Sequence, residues 1–340
     1  IHESLEWQHA LSYCEAIIRI YNIHGRRDNS YKARIKILVK AIGIEAFKAQ
    51  VEAEWAHLKD GPLTITQAEF DRVSTYFEPM PYETLPANEA SFDLHLASNP
   101  AFAAWVKRCV HAHKIPGYRA LTLSLKTHGE APGDATSAQM QVVADLADAY
   151  SFGELRVSHE QNLILADVKL SDLFSVWEKA RAAGLATPNI GLLTDIICCP
   201  GGDFCSLANA KSIPIAQSIQ AQFDDLDYLH DIGDIEINIS GCMNACGHHH
   251  VGHIGILGVD KGDTEWYQVS IGGKQGNDAS LGNVIGPSFS ADEMPSVVQK
   301  LIDVYVQERT PEERFIDTVR RIGMDPFKNH VYAENTELSA

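Results

Sequence analysis

The sequence predicts an α+β fold, in which α/β modules accompany a small strand–helix–strand–strand–helix layer, and three observations carry that prediction. Apolar residues at helical spacing open the chain, and strands alternate with helices after position 190. Between 118 and 183 the patterns run strand, helix, strand, strand, helix, which is the ferredoxin-like topology of a half-domain. A stretch near the start also recurs near the end at a constant offset. The 340 residues leave room for about two domains.

Taken in order, residues 5–21 put Leu5, Leu11, Ala16, Ile17, Ile20 and Tyr21 at helical spacing, and the basic stretch HGRRDNSYKARIK at 24–36 interrupts them. Ile35, Leu38, Val39 and Ile42 predict a second helix that stops at Gly43. Residues 60–116 are rich in Pro, Glu and Ala without a sustained strand pattern, and read as helical connections and loops. Tyr118–Leu125 predicts a strand, Thr136–Tyr150 a helix, Glu154–Ser158 with Leu163–Asp167 a hairpin, and Ser171–Ala183 a helix ended by Gly184. A second α/β module follows. It has a strand at Gly191–Ile197, a helix through Ser206–Phe223, strands near 234–239, 252–259 and 265–271, and a helix at 291–308. The expected divisions are 1–58, a helical linker at 59–116, the half-domain at 117–186, the second module at 187–333 and a tail at 334–340.

The repeat pairs ARIKILVKAIGIEAFKAQV (33–51) with ERFIDTVRRIGMDPFKNHV (313–331). Arg34 matches Arg314, Val39 matches Val319, Ile42 and Gly43 match Ile322 and Gly323, and Phe47 and Lys48 match Phe327 and Lys328. Upstream, IIRIYN (17–22) resembles LIDVYV (301–306) after a small gap. Two amphipathic helices can resemble one another by chance. A two-copy architecture, with the tail of one copy ahead of a complete second copy, explains the match and also an opening residue, Ile1, that is not Met.

Composition excludes several classes. A hydrophobic fraction of 45% with 21% charged residues is ordinary for a folded protein. No apolar run approaches the roughly 18–20 residues of a membrane span. A formal charge of −17 leaves no cationic excess for phosphates, which argues against nucleic acid. Seven cysteines cannot all pair, and no secretory signal opens the sequence, so a reducing, cytoplasmic setting is expected.

Five cysteines fall in two short segments, ICCPGGDFCSLA with Cys198, Cys199 and Cys205, and SGCMNACGHHH with Cys242 and Cys246. Four thiolates spaced C-x5-C and C-x3-C suit an iron–sulfur cluster whose four irons each take one soft ligand. Zinc sites favour C-x2-C or C-x4-C pairs, and a catalytic thiol needs one activated cysteine rather than four in matched loops. Cys198 and Cys199 are adjacent, so on an extended strand they point to opposite faces and Cys198 reads as a wall residue. Cys14 and Cys109 lie in helical patterns and are expected in the core.

TDIICCPGGDFCSLANAKS followed by NISGCMNACGHHHVGHIGILG resembles the paired cluster-binding loops of the sirohaem-containing nitrite and sulfite reductases. HGRRDNSYKARIKILVK is similar to the close of that family's first catalytic module, and RVSHEQNLILADV (156–168) to its R-x-[ST]-x-x-Q-N hairpin. Nearly the whole chain fits, as the C-terminal part of the two-copy architecture. Met243 departs from the proline that many members carry there.

The resemblance implies that Cys199, Cys205, Cys242 and Cys246 bind a [4Fe-4S] cluster, and that Cys246 also bridges to the sirohaem iron. Asn244 would support the second loop by hydrogen bonding, and Arg34 and Lys36 would hold the oxyanion and deliver protons. Read without the family, Arg34 and Lys36 are a solvated helix face, and their convergence on an anion needs an extended segment there. His248, His249, His250 and His253 read as a metal set, as second-layer donors or as loop surface. Gln161 and Asn162 would be a vestigial counterpart of a cofactor-gripping hairpin. The implied activity is six-electron reduction of sulfite to sulfide, with nitrite reduction to ammonia or a non-catalytic electron-transfer role as alternatives. The electron donor would be a ferredoxin or a flavoprotein. With only the tail of the first copy present, the chain alone is expected to hold little sirohaem.

Overall fold

The computed structural model describes residues 1–29, 32–262 and 264–333, in two compact units, Ile1–Tyr82 and Glu83–Ala340. The first unit is helical: α1 (Ala10–His24), α2 (Ile35–Ile42), α3 (Ile44–Leu58) and α4 (Gln67–Ser74). Its core is Tyr13, Ala16, Ile20, Leu38, Phe47 and Val51, so α1, α2 and α3 bury one face against each other. Trp55 donates its indole N–H to Ser12 Oγ at 3.1 Å, and Trp7 meets Phe70 with ring centroids 4.6 Å apart, which ties α4 to the start of the chain.

The second unit opens with α5 (Ala90–Ser98) and α6 (Pro100–Cys109), continues through β1 (Val110–Ala112), β2 (Tyr118–Leu123), α7 (Ser137–Tyr150), β3 (Arg156–Val157) and β4 (Leu163–Lys169), and reaches α8 (Leu173–Ala182). The strands form an antiparallel sheet in the order β1-β2-β4-β3. Phe102, Trp105 and Cys109 of α6 share its core with Leu121, Leu165, Leu146 and Trp177. The unit boundary at 82 therefore falls inside the expected 59–116 linker: α4 goes with the first unit, while α5 and α6 are part of the half-domain layer. Thr136 and Gln139 form a reciprocal capping box that fixes the start of α7.

The remaining elements are β5 (Ile197–Cys198), α9 (Gly201–Phe204), α10 (Ile213–Gln222), α11 (Leu226–Ile232), β6 (Ile237–Ser240), β7 (Ile254–Lys261), β8 (Thr264–Ile271), β9 (Asn283–Val284), α12 (Met294–Glu308), α13 (Phe315–Ile322) and α14 (Asp325–Tyr332). The sheet order is β5-β6-β7-β8-β9, with β5, β6 and β7 parallel and the last two pairings antiparallel. Ile256, Val269 and Ile271 of the sheet share one core with Leu301, Ile302, Phe315 and Phe327 of the closing helices. The expected mixed architecture is therefore present, with its ferredoxin-like layer. The expected tail at 334–340 lies outside the described residues. Among the described residues, no helix is long and apolar enough to cross a membrane.

Candidate metal centre

β5 and β6 are parallel neighbours, pairing Ile197 with Asn238 and Cys198 with Ile239. Loops leaving the carboxyl ends of adjacent parallel strands meet, which is where open α/β sheets place ligands. Cys199 follows β5 directly, its N–H donating to Ile239 O at 3.1 Å, and Cys242 lies just past β6. Asn209 and Ala210 in the first loop both donate to Gly241 O of the second, at 2.8 and 3.1 Å. Gly241 has no room for a side chain: a Cβ there would stand 2.6 Å from Ala210 O and 2.9 Å from Gly201 Cα. The loops are thereby locked as one body.

That lock brings Cys199, Cys205 and Cys242 into electrostatic reach of Cys246. Burial pushes the Cys246 thiol above its ordinary pKa, and Cys199, Cys242 and Cys205 each push it further. Like-charge neighbours disfavour a lone thiolate, and four of them are stabilised together only by cationic metal. Cys199 and Cys242 are buried, Cys205 is half-buried and Cys246 is exposed. Among the described residues, no three His, Cys, Asp or Glu side chains converge on a point that would chelate a single ion. A cuboidal cluster makes no such demand, because each sulfur binds a different iron and the sulfurs stand apart. The soft four-thiol donor set fits it.

Cys198 plays another part. Its thiol is buried in the core of the second α/β module and bonds Cys199 O at 3.2 Å. The Gln161 side chain brackets its backbone, with Nε2 donating to Cys198 O at 2.7 Å and Oε1 accepting from Cys198 N–H at 2.8 Å. Asn162 donates to Asp195 Oδ1 at 3.0 Å and accepts from Leu125 N–H at 3.0 Å. Lys126, fully buried, donates to Ile196 O at 2.7 Å and Glu160 O at 2.9 Å, with Asp195 Oδ1 at 3.5 Å. Burial lowers the Lys126 pKa, and Asp195 opposes that shift. The hairpin expected to be vestigial is thus a brace for the strand that carries the first cysteine loop.

The second loop is held differently from the expectation. Asn244 is half-buried, and among the described residues its side chain makes none of the hydrogen bonds that hold the loop. Asn238 donates to Gly247 O at 3.0 Å and Ser240 Oγ accepts from Gly247 N–H at 3.1 Å, so side chains on β6 hold the loop from beneath. His249 is buried, His248 and His250 are exposed, and His253 accepts the Glu236 N–H through Nδ1 at 3.2 Å. These four histidines do not assemble a metal set. Cys14, expected in the core, is exposed, whereas Cys109 is buried as expected.

Arg34 and Lys36 belong to the first unit. Arg34 is extended (φ −138°, ψ 143°) and half-buried at the N-cap of α2, but the helix begins at Ile35, so Lys36 is already helical and exposed. The extended segment expected to span both residues ends at the first. The first turn of α2 carries no acidic residue.

Ser212 escaped the sequence reading. Its hydroxyl lies 3.4 Å from Cys199 Sγ, which also accepts the Gly241 N–H at 3.1 Å. A serine two places before Pro214 reads locally as a helix cap, so no sequence signal pointed to sulfur.

The family model described as the nitrite and sulphite reductase 4Fe-4S domain matches residues 2–59 and 192–338, and that of the nitrite/sulfite reductase ferredoxin-like half domain matches 117–183. An assimilatory ferredoxin-dependent nitrite reductase of Haloferax mediterranei is 25% identical over 98% of this chain and 53% of its own length. The sulfite reductase [ferredoxin] 2 of Mycolicibacterium paratuberculosis is 27% identical over 92% of this chain and 51% of its own. The chain thus spans about half the length of these relatives. The solved NirA protein of Mycobacterium tuberculosis shares the fold with a TM-score of 0.61 at 24% identity, over 94% of this chain and 53% of that one.

Proposed function

The chain belongs to the nitrite and sulphite reductase family, and from that premise we propose that it is the cluster-carrying part of a cytoplasmic enzyme reducing sulfite to sulfide. The observation that carries the reading is the locked pair of loops presenting Cys199, Cys205, Cys242 and Cys246 together. The family's cofactors are a [4Fe-4S] cluster and sirohaem, which when bound supply electron storage and an iron for the oxyanion. In this reading all four cysteines hold the cluster. Cys246, the exposed one, is the sulfur a second cofactor can reach, which supports its assignment as the bridge to sirohaem. Asn244 keeps a place in the cofactor-binding loop, as part of its wall rather than as its brace.

Arg34 and Lys36 are assigned to the substrate. An oxyanion loses its oxygens as water only if protons arrive as electrons do. Arg offers a planar fork to the oxygens, and Lys a compact ammonium that can also act as an acid. A ferredoxin is the proposed electron donor, as for the relatives described as ferredoxin-dependent, with a flavoprotein as the other candidate.

Nitrite reduction to ammonia is the second reading, since relatives of both descriptions are similar to the chain at about the same identity. The test supplies sulfite and nitrite separately, under anaerobic conditions with reduced ferredoxin, to the reconstituted protein in its longest natural form. Sulfide formed with the higher kcat/KM supports the first reading. Ammonia formed with the higher kcat/KM replaces it with the second, and a visible spectrum with cluster absorbance but no sirohaem bands favours a purely electron-carrying role.

A further inference from the structure

We propose that the Ser212 hydroxyl donates a hydrogen bond to the Cys199 thiolate and thereby raises the reduction potential of the cluster; this rests on the cluster reading above. Ser212 is fully buried and stands at the N-cap of α10. A serine there ordinarily turns its oxygen to the N–H groups of the first helical turn. Ser212 makes no such bond, and its Oγ lies 3.4 Å from Cys199 Sγ instead. Between a serine and a free thiol either atom can donate. An iron-bound thiolate has no proton, so cluster binding fixes the direction: the hydroxyl gives and the sulfur receives.

The surroundings hold that geometry. A Cβ on Gly201 would stand 2.7 Å from Ser212 Oγ, and one on Gly241 3.0 Å, so two bare backbones close around the hydroxyl. Cys199 is buried as well, which keeps water from competing for the bond. The Gly241 N–H, 3.1 Å from the same sulfur, is a second donor. Donors to a cluster sulfur draw negative charge off it. The reduced cluster carries one more negative charge than the oxidised one, so it gains more from the bond, and the potential rises. The Gly241 donor belongs to the backbone and survives substitution, whereas the Ser212 donor can be removed alone.

The test is reconstitution of this chain with iron and sulfide under anaerobic conditions, as the original sequence, as Ser212→Ala and as Ser212→Gly. Iron and acid-labile sulfide are counted, and the midpoint potential is read by EPR-monitored titration. The expected result is full cluster content in all three, with a more negative midpoint in both variants, so that at a fixed ambient potential the cluster is severalfold more oxidised. An unchanged or more positive midpoint at full content overturns the role of Ser212 alone. Loss of the cluster from both variants overturns it in favour of a purely structural hydroxyl. Failure of the original sequence to take up a cluster overturns the cluster reading itself, and this proposal with it.

Discussion

The helices α1, α2 and α3 repeat as α12, α13 and α14, and the two copies differ in what they face. Each has an eight-residue middle helix preceded by an extended arginine, Arg34 or Arg314, and closed by a glycine with positive φ, Gly43 at 86° or Gly323 at 75°. Phe47 and Phe327 are buried at matched positions, as are Val51 and Val331. Elsewhere the copies part. Ile18 is 58% exposed where its counterpart Ile302 is fully buried, and Ile35 is 41% exposed where Phe315 is fully buried. The second copy shares its core with β6, β7 and β8, while the buried core residues of the first, among the described residues, lie on α1, α2 and α3. The shared apolar period therefore encodes a sheet-covering surface, and whether it is buried depends on the sheet and not on the helices.

Charge divides the copies too. Arg314 donates to Asp317 Oδ2 at 2.7 Å within its own helix, so the second copy supplies its own anion. The first copy has Ile37 where Asp317 stands, and Lys36 where the second has Ile316. The copies therefore differ in charge at this helix start: an arginine paired with an aspartate of its own helix in one, and an arginine with a lysine in the other.

The strongest way to break this contrast is a charge on the shared surface. Ile302→Lys should cost on the order of 4 kcal/mol, as an unpaired buried ammonium does, whereas Ile18→Lys should stay within about 0.5 kcal/mol in urea unfolding. Equal costs would mean that the two faces are covered alike. Next in size is the anion contrast. Arg34→Ala or Lys36→Ala should lower oxyanion turnover on the order of 10²–10³-fold with the cofactor spectrum retained, as loss of one positioned donor does. Arg314→Ala should leave turnover nearly unchanged. Comparable losses at all three positions would erase the distinction between the two copies.

The closing glycines should behave alike. Gly43 (φ 86°, ψ 151°) and Gly323 (φ 75°, ψ −173°) lie in a region that only glycine occupies readily, and no neighbouring atom lies within 4 Å of an added Cβ at either. Alanine at each should cost about 1–3 kcal/mol through the backbone alone. A much larger loss at one site would expose a contact that the other copy lacks.

The smallest effect is in pH. Burial lowers His253 and His249 to about 4, and His253 must stay neutral to accept the Glu236 N–H. The unfolded chain takes up these protons near 6.5, so the stability they confer is complete above that pH and lost as pH falls through about 4. Hydrogen exchange should show the second copy loosening across that window before the first. Simultaneous loosening would assign the transition to other groups.

Local patterns made much of this legible. Periodicity and Gly43 gave the bounds of α2, and helical spacing placed the start of α7 within one residue. The expected helix over Ser206–Phe223 shortened to Ile213–Gln222, because residues 209 and 210 give their N–H groups to Gly241 across the fold. No local signal reports such a partner. The strand expected at Gly191–Ile197 shrank to Ile197–Cys198 for a similar reason: Leu192 and Asp195 close turns there, and Asp195 serves the Lys126 and Asn162 network. β1 and β9, of three and two residues, are too short to carry a period. Cysteine spacing disclosed the candidate ligands, but the residues that hold and tune them, Gln161, Ser240 and Ser212, are set by tertiary contact.

The most direct test of the central claim compares Cys198→Ser with Cys199→Ser after anaerobic reconstitution, by iron and acid-labile sulfide content. The arrangement predicts about four irons and four sulfides per chain in Cys198→Ser, as in the original sequence, and an incomplete or absent cluster in Cys199→Ser. A full cluster in Cys199→Ser with loss in Cys198→Ser would contradict it, because the sulfur now assigned to the core would be the ligand.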